Sequence, residues 1–386
     1  MKKLTALFAA LFVTACISLA QNNEAILNQT GDDNSSVIEQ SMASESGAEV
    51  SQEGDNNSST IEQVGEGHSA GLFNRGNDNV VLQVQHGAEN QQRIELQGDD
   101  NSYTAEQRGD DNFIYLNARG TGPGLYGRAA ADGNNNNTAE ITQYQTGNVF
   151  SGAVTGSNNR ITTHQDGNYN QIGGTFSASI PSAAPPGIPT GTYGFLFTPL
   201  SGGAWSGNGV NIYGNDNDVQ IEQVGDYNTN VAFAEGDANK VVQRMTQGSG
   251  NTGVQAIHGS DNQSVIELWG DDNMIVTGQK GSGNDLFLNA RGTGTGFTGG
   301  GGNVSNTFVG LQAGSDNLIS AGIDGSYNEI GIAQYGEGNA IGTGLYAVDG
   351  ARIEGDYNTL KIGQFGDNNI ARASITGNNN YASISQ

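Results

Sequence analysis

Residues 54–118 read GDNNSSTIEQV (54–64), GEGHSAGLFNR (65–75), GNDNVVLQVQH (76–86), GAENQQRIELQ (87–97), GDDNSYTAEQR (98–108) and GDDNFIYLNA (109–118). Gly54, Gly65, Gly76, Gly87, Gly98 and Gly109 recur every 11 residues, and the third residue after each is asparagine, at Asn57, Asn79, Asn90, Asn101 and Asn112, except for His68. From the asparagines every second residue is small, apolar or an amide: Asn57, Ser59, Ile61, Gln63; Asn79, Val81, Gln83, Gln85; Asn101, Tyr103, Ala105, Gln107. That alternation is the period of a β-strand with one buried face. Gln63, Gln85 and Gln107 are 22 apart, while the intervening segments end in Asn74, Leu96 and Ala118. The unit is therefore 22 residues, two strands joined by Gly-x-x-Asn turns. A fixed period this short means a solenoid, so the expected fold is all-β, a parallel β-solenoid with two strands per coil.

Outward from this block the register extends both ways. Toward the N-terminus it holds over Asn23 to Gln29 and, after Gly31, over Asn34 to Gln40; Ser41 to Glu53 keeps the spacing but loses the Gly-x-x-Asn turn. Toward the C-terminus it is broken by Arg119-Gly120-Thr121-Gly122-Pro123-Gly124, which reads as a loop thrown out from the side. It resumes at Gly133. Residues Thr175 to Gly209 hold Pro181, Pro185, Pro186, Pro189 and Pro199, five of the six prolines. Proline cannot donate to a ladder, so this segment is expected to be an insertion or linker; Phe195, Phe197 and Trp205 suggest that it packs on something. The period returns at Gly214, Gly225, Gly236, Gly248, Gly259, Gly270 and Gly281, continues through Gly314, Gly325 and Gly336, and closes with Gly355, Gly366 and Gly377. The last strand is Asn380, Ala382, Ile384, Gln386. Leu116-Asn117-Ala118-Arg119-Gly120-Thr121-Gly122 reappears as Leu288-Asn289-Ala290-Arg291-Gly292-Thr293-Gly294, an offset of 172, which suggests two tandem halves with a loop at the same place in each. The expected organisation is a secretion signal (1–20), a first solenoid half (21–174), the insertion (175–210) and a second half (211–386).

Sixty glycines and only 14% charged residues do not suit an ordinary enzyme core, yet the apolar residues arrive on too strict a schedule for disorder. Met1-Lys2-Lys3 followed by the apolar run Leu4 to Ala20 reads as a signal peptide, with Ser18-Leu19-Ala20 as cleavage site. Val13-Thr14-Ala15-Cys16 offers the alternative of a lipoprotein signal acylated at Cys16. Cys16 is the single cysteine, so the mature chain has no disulfide and the strand ladder must hold it together. The formal net charge of −25 becomes −27 once Lys2 and Lys3 are lost. Nucleic acid and anionic membranes are therefore poor partners, and like charge keeps the chain soluble until it is screened.

Glycine supplies the positive φ of a tight arc, and Asn or Asp in the x positions tolerates left-handed geometry. The inward positions form an expected amide ladder: Asn23, Gln29, Asn34, Gln40, Asn57, Gln63, Asn79, Gln85, Asn101, Gln107, Asn217, Gln223, Asn358, Gln364, Asn380 and Gln386. Its turn glycines are Gly31, Gly54, Gly76, Gly98, Gly109, Gly225, Gly270 and Gly366. An orphaned buried amide costs about 1–3 kcal/mol. Stacking like on like at ~4.8 Å removes that cost. At the two ends of the stack, however, amides and backbone stay unpaired, and Gln386 is followed by no polar cap. An uncapped solenoid is a template for another copy of itself.

The unit resembles the curlin repeat of curli amyloid fibres, Ser-x5-Gln-x-Gly-x2-Asn-x5-Gln. Asn23-x5-Gln29-x-Gly31-x2-Asn34-x5-Gln40 carries both glutamines, with asparagine in place of the leading serine. Asn101 to Asn112, Asn217 to Asn228 and Asn358 to Asn369 match through the turn but end in Ala118, Ala234 and Ile375. The resemblance implies a secreted, non-enzymatic subunit of an extracellular amyloid in a biofilm matrix, exported through an outer-membrane pore, with itself as partner and a nucleator subunit as a second. The number of coils, the side loops and the proline insertion depart from the family pattern. Major subunit, minor nucleator and adhesin therefore stay open.

Other readings were weighed on the same residues. His68, His86 and His258 have no second histidine or cysteine nearby in sequence and read as surface turn residues, with no metal and no cofactor expected. Asp32-Asp33, Asp99-Asp100, Asp110-Asp111 and Asp271-Asp272 suit a calcium column in chemistry but not in spacing. Glu39, Glu62, Glu106 and Glu222 precede inward glutamines; stacked directly they would repel, so acid or divalent cations are expected to speed assembly, and unchanged lag times would count against it. A polysaccharide-processing β-helix would need clustered Arg, Asp and His, and Arg119 and Arg291 are the nearest approach. An ice-binding ladder would need more than the isolated Ile161-Thr162-Thr163.

Overall fold

A computed structural model describes residues 22–118, 134–173, 209–290, 303–343 and 350–386. The expected signal, Cys16, the two glycine-rich loops with Arg119 and Arg291, and residues 175–208 of the insertion lie outside them. Among the described residues no helix is long and apolar enough to cross a membrane.

The chain is a parallel β-solenoid. Successive strands go alternately to two 15-stranded parallel sheets. The first sheet starts with Glu24–Thr30 and Gly47–Glu53 and ends with Thr359–Phe365 and Tyr381–Ser385. The second starts with Ser35–Ser44 and Ser58–Glu66 and ends in the short pieces Ile370–Ala371 and Ala373–Thr376. Like residues meet across the ladder: Gln40 pairs with Gln63, Gln63 with Gln85, and Gln85 with Gln107.

The turns explain the sequence pattern. Gly54 has φ +120°, and two residues on Asn56 has φ +58°. A Cβ on Gly54 would stand 2.0 Å from the Gly76 carbonyl oxygen of the next coil, so both φ and space demand glycine. The first x residue has a different task. Asp55 Oδ1 accepts the Asp32 N–H of the preceding coil at 2.7 Å, and Asn77 Oδ1 accepts that of Asp55 at 2.8 Å. Between turns the inner faces of the two sheets bury Ile61, Ile94, Leu96, Tyr103 and Leu116 early in the chain. Ile266, Leu288, Phe308, Ile330 and Leu360 continue the core to its far end.

Two interruptions fall inside strands. Gln171–Ile172 and Val210–Tyr213 both pair with Val149–Thr155, and the Gly209 N–H donates to the Ser151 carbonyl at 2.6 Å. The described chain thus stops at Gly173 and resumes at Gly209 within one rung, and both sheets run on past it. Ala340–Ile341 and Ala351–Glu354 lie in the same way on Leu318–Asp324, which accounts for the irregular stretch near Gly342 to Gly350.

The duplicated motif behaves differently from the expectation of equivalent halves. Leu116-Asn117-Ala118 closes Phe113–Ala118 in the first sheet, whereas Leu288-Asn289-Ala290 closes Asp285–Ala290 in the second. An even number of rungs lies between the copies, so they fall in different sheets. A second difference concerns the outward positions. Early strands alternate buried and open, but Thr229–Glu235 is buried at all five central positions, because its outward residues there are Val231 and Phe233.

Candidate functional site

Inside the solenoid the turn asparagines stack on one another. Asn57 donates its backbone N–H and its Nδ2 to Asn34 Oδ1, both at 3.0 Å, and the second Nδ2 hydrogen goes to the Gly76 carbonyl at 2.7 Å. Asn79 repeats this on Asn57, and Asn101 on Asn79. Asn217 does so on Asn159 and Asn358 on Asn328. The glutamines run the other way. Gln40 Nε2 donates to Gln63 Oε1 at 2.8 Å, Gln63 to Gln85 at 2.9 Å, Gln85 to Gln107 at 3.1 Å and Gln107 to Gln143 at 2.9 Å. The asparagine columns thus donate toward the N-terminal end and the glutamine column toward the C-terminal end.

The glutamine column changes sheets along the chain. In the second sheet it ends at Gln223, which meets Met245. In the first sheet Gln29 and Gln52 give way to Asn74 and Leu96, and glutamine returns as Gln279, Gln312, Gln334, Gln364 and Gln386. Where an amide is not stacked on another it suffers. Gln243, between Ile221 and Ile266, has neither side-chain atom paired, and Asn230 is in the same state.

The histidines divide. His68 takes an asparagine position, which is inward-facing, so it is 1% exposed rather than on the surface as the sequence suggested. Its N–H meets Ser46 Oγ at 3.2 Å and its Nε2 lies 3.0 Å from the Val64 carbonyl; burial lowers its pKa. His86 stands 3.5 Å from Glu62 in the second sheet and His258 3.1 Å from Glu235 in the first. The glutamate column is mostly diluted: Glu39 faces Glu62 directly, but Val84 separates Glu62 from Glu106, and Glu222 faces Arg244. Among the described residues no group of three or more His, Cys, Asp or Glu is placed to hold a metal ion.

The ends are where this chemistry is left open. Asn57, Gln63, Asn79, Gln85, Asn101 and Gln107 are 0–2% exposed, yet Gln29, Asn380 and Gln386 are exposed and Asn23, Asn34 and Gln40 half-buried. Gln29 donates to Gln52 Oε1, and its own Oε1 meets no described donor. Gln386 Oε1 accepts from Gln364 at 3.0 Å, and its Nε2 reaches the Ile370 carbonyl at 3.1 Å with one hydrogen to spare. Asn380 donates to Asn358 Oδ1 while its own Oδ1 meets no described donor. Asn23 donates one hydrogen to the Ala43 carbonyl and keeps the other. What each end lacks, the other end supplies.

The side chains agree with the polar pattern. The inward series of the last first-sheet strand, Asn380, Ala382, Ile384, Gln386, would lie over Asn23, Ala25, Leu27, Gln29 of a second copy. The first sheet has one rung more than the second, so on this joint Ala373–Thr376 and the next copy's Ser35–Ser44 stand one rung apart in the second sheet. Unlike Gly54, Gly98 or Gly109, Gly366 has no carbonyl over it among the described residues; a Cβ there would have Asn369 Nδ2 at 3.9 Å as its nearest contact.

Two stretches of the chain, residues 43–72 and 355–386, match the Curlin associated repeat family. They lie near the two ends of the solenoid. No curated protein matches the chain.

Proposed function

We propose that this curlin-repeat protein is a secreted structural subunit that polymerises end to end into the extracellular amyloid fibres of a biofilm matrix. The observation that carries the reading is the complementarity of the two open edges. Joined tail to head, Gln386 Nε2 donates to the next copy's Gln29 Oε1, and the next copy's Asn23 donates to Asn380 Oδ1. Each column then keeps the polarity that it has inside the chain. Head to head, two Gln29 oxygens would face each other; tail to tail, two Asn380 oxygens would. Neither arrangement is satisfied, so growth is polar.

The chain's chemistry supports a structural rather than an enzymatic role, with no small-molecule substrate, since its stacked asparagines and glutamines spend their hydrogen bonds on one another. Export through an outer-membrane pore and a nucleator subunit as partner accompany the fibre reading. A surface adhesin built on the same solenoid is the second reading, favoured by the glycine-rich stretches that interrupt the repeat sequence at 119–133 and 291–302. Thioflavin fluorescence with and without preformed seeds, followed by fibre diffraction, tests the first. Seeded growth with a meridional spacing of ~4.8 Å supports it. A β-rich chain that stays monomeric at high concentration in the presence of seeds sinks it.

A further inference from the structure

The left-handed position just before a turn asparagine is held mostly by asparagine, aspartate or glycine, the residues that tolerate it. Four tyrosines also stand there: Tyr169, Tyr227, Tyr327 and Tyr357, with φ of +57°, +57°, +58° and +56°. A side chain of that bulk is strained at positive φ. All four belong to the turns that lead into the first sheet, and they share one column. The Tyr227 N–H donates to the Asn168 carbonyl and the Tyr357 N–H to that of Ser326, each on the coil before. Among the described residues the turns into the second sheet hold no tyrosine at this position. Within the column the tyrosines come as two neighbouring pairs. The rings of Tyr169 and Tyr227 stack with centroids 5.3 Å and planes 17° apart, those of Tyr327 and Tyr357 with centroids 4.9 Å and planes 5° apart. Each residue is between 51% and 62% exposed. Gly147 and Gly250 flank the first pair, and Ser305 and Asn379 the second. A Cβ on Gly147 would stand 2.5 Å from Tyr169 Cδ1, so this glycine makes room for the ring.

We propose that the two pairs are oxidative coupling sites, at which a peroxidase with hydrogen peroxide joins Tyr169 to Tyr227 and Tyr327 to Tyr357 through the ring carbons ortho to the hydroxyls. Each phenol gives up one electron and one proton. The two phenoxyl radicals form one carbon–carbon bond; each ortho hydrogen then leaves as a proton and each phenol oxygen regains one. Hydrogen peroxide takes up the two electrons and two protons and becomes two waters. Stacking favours this over the capture of a sugar ring, which needs an open aromatic face, because each tyrosine gives one face to its partner while more than half of the residue stays open to an oxidant. Two radicals held side by side couple at high effective concentration. From Tyr227 to Tyr327 is four rungs, roughly 19 Å at ~4.8 Å per rung, which confines coupling to within the pairs. The places chosen point the same way. Neighbouring members of the column are mostly 22 or 23 residues apart, but Tyr169 and Tyr227 are 58 apart and Tyr327 and Tyr357 are 30 apart. A bond there closes a longer loop than one between ordinary coils, and so takes more freedom from the unfolded chain. It staples the solenoid where the repeat sequence is interrupted, within one copy and apart from the end-to-end joint.

Peptide mapping of the full chain after treatment with a peroxidase and hydrogen peroxide tests this, first on dilute monomer and then on assembled material. The monomer arm stands whether or not fibres form. Tyr335 and Tyr381 serve as internal controls: they are 50% and 67% exposed, and in register they meet Ala313, Phe365 and Thr359 but no tyrosine. Biaryl peptides joining 169 to 227 and 327 to 357 should form several-fold faster than any that involve Tyr335 or Tyr381, and the treated monomer should unfold at a higher urea concentration. Tyr227→Phe keeps the ring but lacks the phenol, so it should abolish the first product and leave the second at its full yield. Products spread evenly over the exposed tyrosines, links between separate chains alone, or no biaryl at all would overturn the proposal.

Discussion

Gln364 donates its side-chain amide to Gln386 Oε1 at 3.0 Å, and no described residue continues that column past Gln386. Every earlier glutamine from Gln279 onward passes a hydrogen to the next, so Gln386 is a link of the ladder with one side open.

Replacing that link should act on growth and not on folding. Gln386 is exposed, and Gln386→Leu removes one donor from the joint. A net hydrogen bond is worth about 0.5–1.5 kcal/mol, and ~1.4 kcal/mol is a factor of ten. The critical concentration for seeded elongation should rise by up to about tenfold, while the circular dichroism of the monomer stays as it was. A matching loss of monomer structure would refute the assignment.

The turn glycines should differ in what their replacement costs. A Cβ at Gly98 would lie 2.1 Å from the Asn134 carbonyl within the chain, whereas at Gly366 nothing stands closer than 3.9 Å. Gly98→Ala should disrupt the monomer, seen as early urea unfolding. Gly366→Ala meets strain at φ +93° but no such carbonyl, so it should destabilise the monomer less. Equal effects on monomer stability would contradict this.

One buried amide is expected to be a liability. Gln243 has neither side-chain atom paired and stands between Ile221 and Ile266. Gln243→Ile would complete an apolar column and remove an orphan worth about 1–3 kcal/mol. Urea titration should show a stabilised chain; a destabilised one would mean that Gln243 has a partner of its own.

His68 should make the N-terminal coils acid-sensitive. Burial, opposed by the Val64 carbonyl contact, lowers its pKa below the ordinary histidine value of about 6.5. The unfolded chain therefore takes up a proton first, and the stability that neutral His68 contributes is present above the unfolded pKa and lost as pH falls through the folded one. Melting should weaken from neutral to mildly acid pH, and His68→Asn, which restores the residue type of its column, should flatten that slope. An unchanged slope would exclude His68 as the cause.

Much of this was legible in the sequence because the fold is written at one period. Gly54, Asn57, Ile61 and Gln63 fix a turn, an inward series and a stack, and the structure builds the expected solenoid from them. The phase of the copies was harder to read. Leu116-Asn117-Ala118 and Leu288-Asn289-Ala290 are identical in sequence, but which sheet each joins depends on how many strands intervene, and residues 174–208 conceal that count by interrupting a strand. His68 was misread as a surface residue because a turn position was equated with exposure, although the asparagine of each turn faces inward. The apolar outward run from Val231 to Leu311 left a signal in the near-continuous hydrophobicity of Thr229–Glu235, which period-two reading passes over.

The central claim is a tail-to-head joint, and cysteine cross-linking measures it most directly. Residues 22–386 contain no cysteine. Continuing the internal register, with Thr359 on Tyr381, places Ser383 of one copy beside Ile26 of the next, both on the outward face. Their Cα atoms would be ~4.8 Å apart, within the range for a disulfide. Fibres of the Ile26→Cys, Ser383→Cys variant, oxidised after assembly, should yield chains joined specifically between positions 26 and 383 in peptide mapping. Fibres that link 383 to 383 or 26 to 26, or that form no link while both thiols stay reactive, would contradict the account.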